Sequence, residues 1–425
     1  MVAAISRYGV RVIPNTQQII EDCQRRNAFV DGPELRQFEA SFCDFLGGGY
    51  ASSASFGRMA FYYILQALDF PIGSEIVFPA LTFWVVPEMA RILGLKPVFA
   101  DIDPLTFNLD PESFLRVLSP WTRAVVPTHI FGLPCDMEPI LKIAHDHGLK
   151  VIEDCAHSLG ARYSGKMTGT FGDAAFYSFQ TLKPLNTYGG GMAFTRDKSL
   201  ATQVAALATA EPPPQPSHLM NQLLKGRMQR IFTRPEIFSF SGFPILWAAS
   251  WIKARPDVYL WESIRALNPI PASYRLRYSN VQAALGLAGL EHLPEWNSAV
   301  RANADFMNST LGRVDGVTLP RVPPGRSHVY YQYCIYVPDR DALVRFCIQR
   351  GVDLETLHVD VCPNLTSLFG SAVRPFPNAT RAASVVQIPI YSSLSRSHLD
   401  RISRCIMDAV AHTGESVRAH EVPTR

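Results

Sequence analysis

The strongest constraint on the fold is an alternation of short apolar runs with helical stretches between residues 51 and 196. Strand-like runs occur at Glu75–Pro79, Ala124–Pro127 and Lys150–Asp154, and the segment Met137–His147 between two of them has a helical pattern. Short strands separated by helices of about ten to fifteen residues are typical of βαβ units around a parallel sheet. The sequence therefore predicts an α/β fold with a mainly parallel central sheet.

Acidic residues follow several of these predicted strands. Asp101, Asp103, Glu153 and Asp154 all lie at or just beyond the carboxyl end of a strand. Ligands of open α/β sheets bind at that edge. We therefore expect the chemistry of the protein at this end of the sheet.

Composition narrows the class of protein. The 425 residues are 47% apolar and 18% charged, which is enough for a large core. With 40 basic and 37 acidic residues the net charge is only +3, so the sequence argues against nucleic acid as the main partner. The first twenty residues lack the unbroken apolar run of a secretory signal, and we expect a cytoplasmic protein.

Two patterns that resemble metal or nucleotide sites are incomplete. The eight cysteines include no C-x-x-C pair, so the sequence predicts reduced, mostly buried thiols and no metal site. Residues 160–166 imitate a phosphate-binding P-loop, but Met167 stands where such a loop needs Ser or Thr to bind Mg²⁺. The sequence therefore argues against a nucleoside triphosphatase.

The alternation breaks between residues 211 and 271. The break opens with a proline-rich stretch and contains the uncharged run Ile237–Ile252. We therefore predict a large domain over residues 1–290 that carries this insertion. A smaller α+β domain over 291–412 and a disordered tail over 413–425 would follow.

The apolar run within the insertion is too short to span a bilayer. Basic residues flank it on both sides, at Lys225, Arg227, Arg230, Arg234, Lys253 and Arg255. Three hypotheses stay open. The run packs on the core or a dimer contact, it covers an apolar acceptor, or residues 225–255 touch an anionic membrane.

The most informative stretch is VIEDCAHSLGARYSGKMTGTFGDAAFYSFQTLKPLNTYGGGMAF, residues 151–194. It places Asp154 at the end of a strand, His157 three residues later, and Lys183 in a loop that ends in three glycines. A buried lysine can form a Schiff base, and pyridoxal phosphate needs a carboxylate beside its ring nitrogen. Each residue alone has a simpler structural explanation, so the prediction depends on their combination.

Taken together, these motifs resemble the DegT/StrS family of pyridoxal-phosphate-dependent sugar aminotransferases. The resemblance runs from about residue 33 to residue 402, outside the insertion. It is carried by GRMAFYYILQAL, FPALTFWVVPEMARILGLKPVFADIDPLTFNLD, THIFGLPCDMEPILKIAHDHGLKVIEDCAHSLGARYSGK, GTFGDAAFYSFQTLKPLNTYGGGMAF and RYSNVQAALGLAGLEHL. It implies a fold-type-I transferase with a mainly parallel sheet in a large domain and a smaller C-terminal α+β domain.

The resemblance also implies roles for single residues. Lys183 matches the lysine that holds the cofactor as a Schiff base and then moves the proton. Asp154 matches the carboxylate that pairs with the pyridinium nitrogen. His157 matches a residue beside the ring, and Phe83 matches the aromatic on the other face, with Trp84 as a possible substitute for Phe83.

Phosphate contacts are implied at Ser178 and at the turn Gly57-Arg58. Backbone N–H groups at a helix start suit a dianion. The family commonly has Gly-Thr at this turn, so Arg58 is a departure, although arginine pairs well with phosphate. A second departure is Arg275, near the place where an Asn of the family reaches the phosphate of a neighbouring subunit. Whether Arg275 takes that role is open, and the resemblance implies a homodimer with shared sites.

The implied reaction is ping-pong transfer of an amino group from an amino acid, such as L-glutamate, to a nucleotide-linked keto sugar. Three alternatives remain at this point. Residues 154–160 also resemble the D-x-A-H-S-x-G pattern of α-oxoamine synthases. An aminotransferase acting on an apolar or lipid-linked ketone and a non-catalytic protein of the same fold are the other two.

Overall fold

The computed structural model describes residues 3–252, 263–356, 359–372 and 374–420, with side chains described up to residue 412. Its strands are β1 Tyr50–Ala54, β2 Glu75–Pro79, β3 Leu81–Thr82, β4 Lys96–Ala100, β5 Thr122–Val125, β6 Lys150–Asp154, β7 Arg162–Tyr163, β8 Lys166–Met167, β9 Ala174–Ser178, β10 Gly191–Thr195, β11 Arg326–Ser327, β12 Tyr333–Ile335, β13 Asp360–Val361 and β14 Val386–Ile388.

Helices connect these strands and extend the chain at both ends. They are α1 Thr16–Arg25, α2 Glu34–Leu46, α3 Gly57–Leu68, α4 Val85–Ile92, α5 Pro111–Arg116, α6 Met137–Asp146, α7 Lys198–Ala210, α8 Pro216–Phe232, α9 Pro235–Phe238, α10 Phe243–Trp251, α11 Asn280–Leu311, α12 Arg340–Gln349, α13 Thr366–Phe369, α14 Pro377–Ala382 and α15 Arg396–His420. Short 3-10 turns lie at Ile130–Gly132 and Cys362–Asn364.

The main sheet has the strand order β1-β10-β9-β6-β5-β2-β4. The strands from β9 to β4 pair in parallel, whereas β10 is antiparallel to both β9 and β1. The prediction of an α/β fold with a mainly parallel sheet is confirmed. Parallel pairing places the carboxyl ends of β2, β5, β6 and β9 at one edge of the sheet.

Both faces of this sheet are covered, because successive side chains on a strand point to opposite sides. Ile152 and Phe176 belong to the apolar cluster formed with α3, α4 and α7. Val151 belongs to the cluster formed with α5 and α6, and Tyr177 to the one formed with α2 and α11. Such two-sided burial explains why these strands are almost continuously apolar in the sequence.

The C-terminal part has a separate apolar cluster around the strand pair β12–β14, together with α12 and α15. Helix α11 belongs to both parts, because Leu293 lies in a cluster of the main sheet and Met307 in the C-terminal cluster. The domain boundary predicted at 290/291 lies inside this continuous helix. The division into two domains stays a prediction.

The proline-rich start of the insertion, residues 211–215, is irregular, and helices α8, α9 and α10 follow it within the described part. Pro216 is at the start of α8, where a missing N–H costs nothing. The tail predicted from residue 413 differs, since the backbone of α15 is helical to His420, and residues 421–425 lie outside the described part. In the part of the chain that the structure describes, no helix combines the length and apolar character needed to cross a membrane.

Candidate active site

Lys183 lies in the loop between β9 and β10, at the sheet edge where the parallel strands end. Burial of its amine lowers the pKa of Lys183 to about 8. The negative charge of Asp154 opposes this shift, and the positive charge of Arg58 adds to it. The structure thus brings Asp154 and the distant Arg58 close enough to Lys183 for their charges to act on its amine.

Asp154 ends β6 and is buried. One of its carboxylate oxygens accepts a hydrogen bond from the backbone N–H of Ala156 at 3.0 Å. Burial raises the pKa of Asp154 to about 6, against the opposing effects of this hydrogen bond and of the Lys183 charge. The carboxylate is therefore negative at neutral pH and poorly solvated, which favours pairing with a cationic group.

His157 and Tyr331 form a stacked pair beside the lysine. Their ring centroids are 4.2 Å apart, with the planes 26° from parallel. The Nδ1 atom of His157 accepts a hydrogen bond from the Phe131 N–H at 3.3 Å, which fixes the orientation of the ring. The Nζ atom of Lys183 donates to the Tyr331 hydroxyl at 3.4 Å. The sequence reasoning missed Tyr331.

Gly57 and Ser178 meet where α3 begins. A Cβ atom on Gly57 would lie 2.8 Å from the carbonyl oxygen of Tyr177 and 3.0 Å from the Cβ of Ser178. A Cβ atom on Gly191 would overlap the backbone nitrogen of Gly57. Glycine at both positions therefore lets the start of α3 approach the ends of β9 and β10, with the N–H groups of the helix start beside Ser178.

Arg58, in the first turn of α3, lies among aromatic rings. Its guanidinium is 4.8 Å from the ring centroid of Tyr274, 5.4 Å from that of Phe56 and 5.8 Å from that of Phe83. It also donates to the Tyr274 hydroxyl at 2.8 Å. Stacking and hydrogen bonding of this kind hold a guanidinium in place. Tyr274 is a second residue that sequence reasoning missed.

Phe83 and Trp84 differ in exposure. Phe83 is half-buried and contacts Arg58, whereas the side chain of Trp84 is buried in the core below the site. The backbone N–H of Trp84 donates to a carboxylate oxygen of Asp360 at 3.2 Å. These positions favour Phe83 over Trp84 as the residue that faces a ligand.

Arg275 forms an ion pair with Glu211 at 3.1 Å, and its side chain is 59% exposed. Glu211 is buried and also accepts from the Tyr63 hydroxyl at 3.3 Å. Within one chain, Arg275 therefore pairs with Glu211, and its side chain forms no hydrogen bond or ion pair with the residues around Lys183 among those described. Its phosphate role stays a prediction.

Glu153, next to Asp154, has a different environment. Its carboxylate accepts from the backbone N–H groups of Gly169, Phe171 and Gly172 at 2.7, 2.7 and 2.8 Å. It also contacts the Nε2 atom of the buried His129 at 2.9 Å. The Nδ1 atom of His129 accepts from the Cys135 N–H at 3.0 Å, so the ring proton lies on Nε2 and is donated to Glu153.

Glu153, His129 and Cys155 lie close enough together to suggest a metal site. The oxygens of Glu153 and both nitrogens of His129 are, however, already engaged. Burial also raises the pKa of Cys155 to about 11, so its thiol keeps its proton at neutral pH. The cluster is therefore a structural network.

Asp101 and Asp103 also have structural roles. The carboxylate of Asp101 accepts from the N–H groups of Asn378 and Ala379 at the start of α14, at 3.1 and 2.9 Å. That of Asp103 accepts from Leu105 and Thr106 within its own turn. Of the four acids expected at the sheet edge, Asp154 is the one beside Lys183.

A small cavity of about 60 Å³ borders the lysine loop at Leu182 and Pro184. Tyr331 also lines this cavity, and so does Arg11 from the segment before α1. Two buried amides line it, those of Gln332 and Gln387, and all four of their polar atoms have no hydrogen-bond partner among the described residues. Unpaired buried amides are costly, so a polar occupant would stabilise this cavity.

The residues around Lys183 fit pyridoxal phosphate. A buried amine of lowered pKa and a buried carboxylate lie close enough to influence each other, as the cofactor's aldehyde and ring nitrogen require. The glycine contact between Gly57 and Gly191 leaves helix N–H groups beside Ser178, which suits the phosphate. The fit thus rests on three chemically distinct parts of one site.

Comparisons with known proteins agree with this fit. A pleiotropic regulatory protein of Geobacillus stearothermophilus is 28% identical over 96% of this chain and 98% of its own. The dTDP-4-dehydro-2,3,6-trideoxy-D-glucose 4-aminotransferase of Saccharopolyspora spinosa is 30% identical over 76% of this chain and 75% of its own. The crystal structure of the aminotransferase TlmJ from Streptoalloteichus hindustanus matches with a TM-score of 0.78 at 25% identity, covering 96% of this chain and all of TlmJ.

The match to a family profile covers more of the chain than any of the motifs does. The sequence profile of the DegT/DnrJ/EryC1/StrS aminotransferases matches residues 12–230 and 252–407. The match includes every residue of the site around Lys183 and leaves out only the middle of the insertion and the two ends. The chain belongs to the DegT/DnrJ/EryC1/StrS aminotransferase family.

Proposed function

We propose that the protein transfers an amino group from L-glutamate to a keto sugar carried on a nucleotide, with Lys183 as the catalytic residue. The observation that carries this proposal is the amine of Lys183, whose pKa burial lowers to about 8, beside the buried carboxylate of Asp154. Pyridoxal phosphate is the cofactor of this family. When bound, it acts as an electron sink for the C–H bond that breaks next to the transferred nitrogen.

Asp154 keeps that electron sink effective. Its buried carboxylate is negative above a pKa of about 6 and favours a proton on a ring nitrogen placed beside it. Lys183 would hold the cofactor, and its amine would move the proton at the substrate carbon. With a pKa near 8, a useful fraction of the amine is neutral at pH 7 to 8 and accepts a proton from the substrate carbon.

The other side chains position the reacting groups. The Tyr331 hydroxyl, 3.4 Å from the Lys183 amine, limits the directions in which that amine can point. We assign His157 and Phe83 to the two faces of the cofactor ring. The phosphate would be bound by Ser178, by the N–H groups that follow Gly57, and by Arg58, whose guanidinium Tyr274 orients.

The acceptor class is supported by the relatives and by the cavity. The Saccharopolyspora spinosa relative is named for a dehydro sugar on dTDP. A sugar presents hydroxyl groups, which donate and accept hydrogen bonds and so match the unpaired amides of Gln332 and Gln387. The α-oxoamine synthase alternative receives no such support, and the family match favours the aminotransferase.

We further propose a cytoplasmic homodimer that shares its sites. The eight cysteines are free, and all but Cys43 are buried, which suits a reducing compartment. Arg275 is 59% exposed and basic, so it is available to a phosphate of the partner subunit if its bond to Glu211 is exchanged. A mixture of two inactive variants, Lys183→Ala and Arg275→Ala, would regain activity if one subunit completes the site of the other.

The test of function follows the two half-reactions separately. The purified holoenzyme is mixed with L-glutamate and the release of 2-oxoglutarate is measured, after which keto-sugar nucleotides are screened for return of the original cofactor absorption. We expect both half-reactions in the wild type and neither in Lys183→Ala. Release of free coenzyme A from an acyl thioester would instead identify a synthase, and no turnover with any donor would identify a non-catalytic protein.

A further inference from the structure

The insertion contains a part that the family profile does not match, residues 231–251. This part forms the end of α8, then α9 and α10. One side of it is fixed to the protein, because Phe238 and Leu246 are buried in the C-terminal cluster with Val344 of α12. The segment is therefore a folded element that lies outside the match to the family profile.

Other side chains of the insertion are apolar and exposed. Of the 17 large apolar side chains that are exposed in the described residues, ten lie between residues 224 and 252. Phe240 is 82% exposed, Ile252 78% and Trp251 61%. The other seven of these ten are Leu224, Met228, Ile231, Phe232, Ile237, Ile245 and Trp247. Concentration of exposed apolar groups in one segment marks an interaction surface.

Seven of the ten side chains lie on α8 and α10, and the other three, Ile237, Phe240 and Ile252, lie on α9 or just beyond a helix end. On α8, Leu224, Met228, Ile231 and Phe232 recur at intervals of four, three and one residues, which places them on one face of the helix. The nine-residue helix α10 has apolar residues on all sides. Leu246 and Ala249 pack inward, so Ile245, Trp247 and Trp251 are left exposed. We call these ten side chains the outer face of the insertion.

The charges around this face are mainly basic. Residues 212–252 contain Lys225, Arg227, Arg230 and Arg234 but only one acid, Glu236. Lys225 and Arg234 are exposed. Lys225 directly follows Leu224, and Arg234 lies two residues after Phe232. The stretch 253–262, outside the described residues, has two basic and two acidic residues and does not change this balance. Among the described residues the face is thus apolar with a mainly cationic border.

This combination distinguishes between two kinds of occupant. A symmetric contact between two copies would place the same surface patch on both sides and would bring the two cationic borders together. A bilayer that contains anionic lipid offers phosphate groups to the cations and an acyl boundary to the aromatic rings, and Trp and Phe favour that depth. Charge complementarity therefore favours the lipid surface.

We propose that the outer face of the insertion docks on the surface of an anionic lipid bilayer. Phe240, Trp251 and Ile252 enter the boundary between headgroups and acyl chains, while Lys225 and Arg234 pair with lipid phosphates. The helices lie in the plane of the membrane and do not cross it. The inference goes beyond the aminotransferase reaction, since it states where the enzyme meets its surroundings.

The experiment uses the holoenzyme and two kinds of vesicle, one of phosphatidylcholine alone and one with about 30% phosphatidylglycerol. We expect the wild type to sediment with the anionic vesicles and to be released by salt. The triple variant Phe240→Ser/Trp251→Ser/Ile252→Ser should partition at least about 100-fold more weakly. Its matched control is Ile72→Ser/Trp121→Ser, which removes two side chains that are 88% and 67% exposed elsewhere and should bind as the wild type does.

A second variant tests the charges. Lys225→Glu/Arg234→Glu should weaken binding to the anionic vesicles by about tenfold or more and reduce its salt dependence. Release of 2-oxoglutarate from L-glutamate should be unchanged in every variant, which checks that each is folded. In the wild type, brominated lipid should quench tryptophan fluorescence, and quenching should fall in Trp251→Phe but not in Trp121→Phe.

Three results would overturn the proposal. The first is that the wild type fails to bind anionic vesicles, or that it binds neutral vesicles equally well and salt does not release it. The second is that the triple variant binds anionic vesicles as tightly as the wild type. The third is that light scattering finds the triple variant dissociated into single copies while the wild type, in which the outer face joins two copies, does not bind vesicles.

Discussion

Glu153 and Asp154 are adjacent on β6 and are both buried acids, but their surroundings are opposite. Strand alternation sends Glu153 to the side of Val151 and Asp154 to the side of Ile152. Around Glu153, three backbone N–H groups and His129 satisfy the carboxylate. Around Asp154 burial prevails, and the pKa rises to about 6.

The difference separates a carboxylate that stabilises the fold from one that is kept for chemistry. A charge surrounded by hydrogen-bond donors strengthens the structure, and its loss leaves those donors unpaired. A charge with few partners reduces stability, and it interacts strongly with any cation that is brought to it. The two regions should therefore respond to substitution in opposite ways.

The largest effect is expected at Lys183. Lys183→Ala removes both the group that holds the cofactor and the group that moves the proton, so release of 2-oxoglutarate from L-glutamate should fall on the order of 10⁴-fold. The free energy of unfolding of the apoprotein should not fall. Because the folded-state pKa is about 8, the charged lysine reduces stability at lower pH, and urea unfolding at pH 7 should find the variant at least as stable.

The next largest effect is expected at Glu153, on stability. Glu153→Gln places an amide among donors, so at least one backbone N–H or the His129 proton is left unpaired. The free energy of unfolding should fall by about 3–5 kcal/mol, measured by urea unfolding of the apoprotein. Glu112→Gln, at a side chain that is 86% exposed, is the control and should change it by less than about 0.5 kcal/mol. If Glu153→Gln were as stable as Glu112→Gln, Glu153 would have no structural role to distinguish it from Asp154.

Asp154→Asn should lower activity and raise stability. Loss of the negative charge should slow 2-oxoglutarate release on the order of 10²–10³-fold. With a folded-state pKa near 6, the wild-type apoprotein binds more protons than the unfolded chain between about pH 4 and 6, so its stability falls as pH rises through that range. The variant should lack this fall and be roughly 3 kcal/mol more stable at pH 7. A pH-independent difference would contradict the assignment.

The smallest effect is expected at Tyr331. Tyr331→Phe keeps the ring stacked on His157 but removes the hydroxyl that accepts from Lys183. One hydrogen bond of ordinary strength corresponds to a decrease of about 3- to 10-fold in kcat with KM for L-glutamate little changed. Tyr50→Phe, at an exposed tyrosine, should have no effect on either constant. A decrease as large as that of Asp154→Asn would make Tyr331 part of the chemistry and not only of its positioning.

Much of the fold was accessible from the sequence because its signals are local. Buried parallel strands such as Glu75–Pro79 contain short apolar runs, and α6 was predicted to within one residue. Lys183 and Asp154 were predicted because both lie in one long motif. The structure also places them close enough to influence each other's pKa.

Other features depend on contacts between distant residues. Tyr331 is 148 residues from Lys183, and Tyr274 is 216 residues from Arg58, so neither leaves a local pattern. Glu153 could not be separated from Asp154, since its partners come from the loop around residues 169–172. Helix α11 runs across the domain boundary predicted at residue 290 and continues through Pro294, because packing on both sides compensates for the missing hydrogen bond.

Helix α11 couples the unfolding of the two parts of the molecule. The first half of α11 contributes Leu285 and Leu293 to the clusters beside the main sheet, and the second half contributes Val300 and Met307 to the C-terminal cluster. Loss of either cluster removes the support of half the helix, which couples the melting of one to the melting of the other. A chain cut at residue 290 would leave each fragment with an open core, so this aminotransferase cannot be divided there into two self-sufficient pieces.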